Sequence, residues 1–115
     1  MTIDEAIRLL DQQKHNTCSR EEKLRWLTEL DGLATLLLGG GDLPKYDLST
    51  HGGTELKIYP PFQEAYLYYL EGKIDYQNGD ITRFNNANAM FFSLFQRFTA
   101  HAHRVGQQAV KNQFF

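Results

Sequence analysis

The apolar spacing of this chain predicts an all-α protein: a four-helix bundle whose last two helices form a long antiparallel aromatic hairpin. Three observations carry the prediction. Ile81, Phe84, Asn88, Phe91, Phe95, Phe98, Ala102 and Val105 recur three and four residues apart without a break, the pattern of one helix face. Thr2-Ile3-Asp4-Glu5 and Ser19-Arg20-Glu21-Glu22 are capping boxes, each placing a hydroxyl and a carboxylate where a helix start leaves amides unpaired. Gly39-Gly40-Gly41 and Gln77-Asn78-Gly79-Asp80 supply the stop and the turn that divide the helices.

After the first box, Ile3, Ala6, Ile7 and Leu10 fall on one face of a short helix that frays near His15-Asn16-Thr17. After the second, Trp26, Leu30, Leu33 and Leu37 mark an amphipathic helix from about Arg20 to Leu38. Residues 39–61 then form an irregular arm, which holds five of the nine glycines and all three prolines. Within it Glu55-Leu56-Lys57-Ile58-Tyr59 alternates polar and apolar, as a short strand or one side of a hairpin would. One strand cannot stand alone, so its expected partner is the Gly41–Thr50 stretch or a neighbouring subunit. Pro61 suits a helical first turn, and Phe62, Tyr66, Tyr69, Leu70 and Ile74 form the buried stripe that follows. Asp80 caps the last helix, expected to run from Ile81 to about Gly106 and to leave a tail over 106–115. Its seam of phenylalanines faces a tyrosine-rich partner helix, so the two should pair through their rings. Asn88, the polar member of the seam, is expected to bond a tyrosine hydroxyl across the hairpin.

The chain of 115 residues reads as one domain, long enough to bury a core. Hydrophobic residues at 42% and charged residues at 23% exclude wholesale disorder. The single Cys18 excludes a disulfide scaffold and a cysteine zinc cage. No apolar run approaches the roughly 18 residues a membrane helix needs, and Asp4 and Glu5 near the start do not fit a secretory signal. The expectation is a soluble intracellular domain or one part of an assembly. The net charge of −2 conceals an asymmetry. Residues 1–80 carry eight Lys or Arg against fourteen Asp or Glu, a net of −6. Residues 81–115 carry Arg83, Arg97, Arg104 and Lys111 and no acid, a net of +4. Such a layout suits head-to-tail contact or the mutual neutralisation of two halves of a hairpin.

Residues that could do chemistry do not converge. His101 and His103 stand two apart on a helix, about 200° around its axis, and cannot share one ion. Cys18 has Glu21 and Glu22 beside it, which oppose a thiolate. Gly39–Lys45 lacks the order of a phosphate loop, and a helix stop accounts for its glycines. Asp4-Glu5 and Glu21-Glu22 sit in first helical turns, where they serve the dipole. No catalytic residue, metal site or cofactor is expected. Arg83, Arg97 and Arg104, seven or fourteen apart, form a solvated stripe and leave open a small helical DNA-binding or regulatory protein as the alternative.

The stretch from Thr54 to Asp80, with Arg83-Phe84-Asn85-Asn86-Ala87-Asn88-Ala89-Met90-Phe91, resembles small proteins encoded in prophages of Gram-positive gut bacteria. There "TELLVPEPYDELYIYYLEAKID" leads into "NGE…RYNNSMALFN", and Trp26-Leu27-Thr28-Glu29-Leu30-Asp31-Gly32 is similar to their "RWLSELDG". The resemblance covers roughly residues 3–98 and is to head-to-tail connector (adaptor) proteins of tailed phages. Beyond Phe98 the chain departs: the family shows "ANWYNR" and stops, whereas here Thr99-Ala100-His101-Ala102-His103 leads on to Phe114 and Phe115. The resemblance implies a small helical bundle with a protruding loop or hairpin. It implies assembly into a ring under the portal protein, a platform for a downstream head-completion or tail protein, and a channel through which DNA passes without specific binding. The place would be the head–tail junction of the virion, reached from the host cytoplasm. Lys57 and Tyr59 in the arm, and Arg104, Lys111, Phe114 and Phe115 in the last helix and tail, are the expected contacts to the portal or a neighbouring copy.

Overall fold

A computed structural model describes residues 1–113, with side chains described as far as Gly106 apart from those of Leu48 and Thr50. The chain is all-α. Four helices, α1 (Ile3–Gln13), α2 (Arg20–Leu37), α4 (Ala65–Gln77) and α5 (Ile81–Gln113), form the bundle, and α3 (Leu48–His51) is a single turn in the arm. The hydroxyl half of each capping box is formed: Thr2 accepts from the Glu5 amide and Ser19 from the Glu22 amide, each at 3.1 Å. α2 stops at the glycines, where Gly39, Gly40 and Gly41 take φ of 112°, 83° and 109°, values an L side chain resists. Asp80 caps α5 through the Arg83 amide at 3.1 Å.

α1, α2 and α4 each bury one stripe against a common core: Ile3, Ile7 and Leu10; Leu27, Leu30 and Ala34; Tyr66, Leu70 and Ile74. α4 and α5 lie along one another, with Tyr69 and Phe91 ring centroids 5.1 Å apart. The expected Phe seam is buried only in its middle. Phe91 and Phe98 are enclosed, while Ile81 and Val105 at its ends are half exposed. Length explains this, since α4 has 13 residues against 33 in α5 and cannot cover the longer helix. The expected bond from Asn88 to a tyrosine is absent among the described residues. Tyr46, Tyr66 and Tyr69 give their hydroxyls to acids on α2 instead.

Four local expectations change. α5 runs to Gln113 rather than ending near Gly106, so the expected tail over 106–115 is helical as far as it is described. The strand over 55–59 reduces to a single antiparallel bridge between Thr2 and Glu55, so its partner is the chain's start rather than Gly41–Thr50 or another subunit. α4 begins at Ala65 rather than Pro61, because a turn with Phe62 and Ala65 amides bonded to the Tyr59 and Phe62 carbonyls comes first. Leu33 and Leu37, expected in the buried stripe of α2, are exposed, because Leu27, Leu30 and Ala34 fill the core and leave them on the flank. No helix among the described residues is long and apolar enough to cross a membrane.

Candidate functional site

Asp31 lies on the buried face of α2, fully enclosed, at a position that a hydrophobe would ordinarily fill. Its carboxylate accepts hydrogen bonds from the hydroxyls of Tyr46, at 2.6 Å, and Tyr66. The Lys57 amide lies 3.3 Å from both oxygens. The Tyr66 hydroxyl in turn accepts from the Ile58 amide at 2.6 Å. Burial pushes the Asp31 carboxyl above the usual range, against the pull of the hydroxyls and the amide. Burial and the adjoining carboxylate push both tyrosines well above theirs. The network is a clamp. It satisfies backbone donors of an irregular segment that has no sheet to pair with, and it lets Leu56 and Ile58 sink into the core. The arm is therefore folded down over this length rather than protruding.

Tyr59 continues the attachment. Its hydroxyl pairs with His101 Nδ1 at 2.8 Å, and its ring packs edge-on to Phe98 at 5.2 Å. The arm thus fastens the distal half of α5 to the bundle, and His101 is engaged in that task. His103 is exposed. Burial, reinforced by Glu22, pushes the Cys18 thiol up, away from a reactive thiolate. Among the described residues no group of three or more His, Cys, Asp or Glu could hold a metal ion.

Two further surface features lie on different helices. The first is a groove of about 590 Å³ along the outer face of α2, floored by Thr28, Gly32, Leu33 and Leu36 and walled by Leu43 and Pro44 of the arm. Glu21, Arg25 and Glu29 carry its charge. The second is the edge of α5 on which Arg83, Met90, Arg97 and Arg104 stand seven residues apart, nearly in line along the helix. Arg83 pairs with Asp80 at 3.4 Å. Among the described residues Arg97 and Arg104 have no ion pair.

Of the expected contact residues, Lys57 and Tyr59 belong to the clamped part of the arm, Lys57 through its backbone and Tyr59 through its side chain. Arg104 is exposed on α5. Lys111 is in α5, its side chain outside the described residues, and Phe114 and Phe115 lie outside the described residues altogether. The groove was not anticipated, because Leu33 was expected on the buried stripe of α2 and is instead exposed beside Leu36. No protein-family model, curated protein or solved structure matches the chain.

Proposed function

We propose that this chain is a structural head–tail connector of a tailed phage or prophage. It forms a ring under the portal, extends the DNA channel, and works by assembly rather than by a reaction of its own. The observation that supports this best is the presence of two unlike surfaces on different helices of a small protomer: an apolar groove on α2 and a cationic stripe on α5. A ring is built from heterologous contacts, in which one face of a copy meets a different face of the next. The likeness to connector proteins falls on the Trp26–Gly32 stretch of α2, the clamped arm, α4 and the start of α5, the parts that make the bundle. The net charge of −2 suits a channel that DNA passes without sticking. The portal, the downstream head-completion or tail protein and the head–tail junction of the virion follow from this reading.

A second reading, a small DNA-binding or regulatory protein, is favoured by the arginine stripe alone. From Arg83 to Arg104 it spans about 32 Å, long enough to track a phosphate backbone.

Light scattering separates the two. A connector gives a ring mass, alone or when mixed with the portal protein encoded nearby, and ignores duplex DNA. A monomer that ignores the portal but is retained on DNA at low salt and released as salt rises would replace the first reading with the second.

A further inference from the structure

α2 is amphipathic twice over. Beyond its core stripe it presents Leu33 at 48% and Leu36 at 62% exposure, joined by Leu43 of the arm at 56%. Gly32 sits between them, and a Cβ built there meets nothing within 4 Å. A glycine inside a helix costs about 1 kcal/mol relative to alanine, and nothing within the protomer requires one here. The backbone is bare at the floor of a groove of the kind that admits a helix.

The charge on the two surfaces is complementary. The groove carries two carboxylates, Glu21 and Glu29, against one guanidinium, Arg25. Glu29 also accepts from Tyr69 at 3.2 Å and lies 3.8 Å from Lys73, with its side chain about half exposed. α5 carries no acid over its whole length. The spacing matches as well. On α2, Leu36, Glu29 and Glu21 succeed one another at seven and eight residues; on α5, Met90, Arg97 and Arg104 succeed one another at seven and seven. These steps are about 10.5–12 Å on either helix. Laid antiparallel, Met90 meets Leu36, Arg97 meets Glu29 and Arg104 meets Glu21 in a single register. No residue that lines the groove belongs to α5, and no residue around the Arg83–Met90 end of the stripe belongs to α2. Within the protomer α5 meets α2 near Leu37, beside Gln96, Thr99, Ala100 and His103, so its own α5 does not fill the groove.

We infer that the occupant of the α2 groove is α5 of a second copy of this chain, docked antiparallel with Met90 against Leu33 and Leu36 and with Arg97 and Arg104 on Glu29 and Glu21. The inference deepens the connector reading, on which it rests, by naming the two faces of the repeating contact. Because the faces differ, each copy uses one and offers the other, and association continues until a ring closes. The bare backbone at Gly32 then has a purpose, since a larger side chain would hold the incoming helix off.

The test uses the full chain with Cys18→Ser, Leu36→Cys and Met90→Cys and a short bis-maleimide crosslinker. Both new positions are about half exposed or more, so folding is preserved. The expected product is a ladder of dimer, trimer and higher species, because each copy carries one of each cysteine. The single-cysteine chains give no ladder. In parallel, Arg97→Glu and Gly32→Leu should each weaken self-association at least tenfold in sedimentation equilibrium. Glu29→Arg combined with Arg97→Glu should recover most of the loss from the latter. A double-cysteine chain that yields no more product than its single-cysteine controls overturns the inference, as does association that neither Arg97→Glu nor Gly32→Leu alters. If a ring still forms on the portal in that case, the connector reading stands and only the named faces fall. A ladder from open filaments that ignore the portal would keep the faces and remove the connector.

Discussion

Asp31 shows how one side chain can hold an irregular segment in place. Three donors converge on it, two of them tyrosine hydroxyls from different elements. Asp31→Ala leaves those donors buried without an acceptor, and a loss of about 3–5 kcal/mol is expected in urea unfolding. Leu56 and Ile58 should become exposed as the arm lifts, which hydrogen exchange at residues 55–59 would report. The pH dependence follows from the raised carboxyl. A folded-state value above the unfolded one means that the native protein binds the proton more readily. This group's contribution therefore favours folding at low pH, and it is lost as pH rises through the folded value. Asp31→Asn should remove this component, so the stability of the wild type relative to Asp31→Asn should fall as pH rises above the ordinary carboxylate range. A difference that stays flat there would show that the carboxyl is not raised. Nothing in the local spacing sets Asp31 apart from Glu29, the other acid beside Leu30. The donors to Asp31 come from Tyr46, Lys57 and Tyr66, whose arrival no local spacing could announce.

At the scale of elements, caps, stops and periodicity were legible because they are local. Thr2, Ser19, Asp80 and the three glycines do what their chemistry requires within a few residues of chain. The α4–α5 pairing was legible because a short turn leaves neighbouring helices little choice. The face of α2 was less so. With apolar residues at Leu24, Leu27, Leu30, Leu33, Leu36 and Leu37, several stripes compete, and only the positions of the other helices decide which is buried. The short strand failed for a related reason: alternation over 55–59 identifies a half-buried segment but not what it pairs with. Gly32 provides the test at this scale. Gly32→Ala should raise the stability of the protomer by up to about 1 kcal/mol in thermal or urea unfolding, since nothing lies within 4 Å of the added carbon. A destabilisation would mean that the helix needs its glycine internally.

For the whole molecule, the charge asymmetry read from the sequence takes physical form as an acid-free helix about 50 Å long on a body of 54 × 34 × 19 Å. The total charge is small, so the effect is one of layout rather than of field strength. Assembly through Arg97 and Arg104 should weaken as salt rises from ~0.05 to ~0.5 M, because exposed pairs are screened over a Debye length that shrinks to a few ångströms. The apolar contact of Met90 with Leu33 and Leu36 should leave a salt-insensitive remainder. Sedimentation across that salt range would show both parts, and association that strengthens with salt would leave only the apolar part standing. The site was the least legible feature. It consists of surfaces on separate elements, and their relation exists only once the bundle has formed.

The bridge between Thr2 and Glu55 has a consequence for the order in which the chain matures. Ile3 and Asp4 give their amides to the Thr54 and Gly52 carbonyls, the Leu56 amide bonds to Met1, and the Met1 amine reaches Glu55 at 2.9 Å. The first turn of α1 is thus completed by residues some fifty positions downstream. During synthesis, which proceeds from the amino end, α1 emerges early but finds its docking site only after the arm has left the ribosome. Its apolar face must stay exposed, or be sheltered by α2 alone, until then.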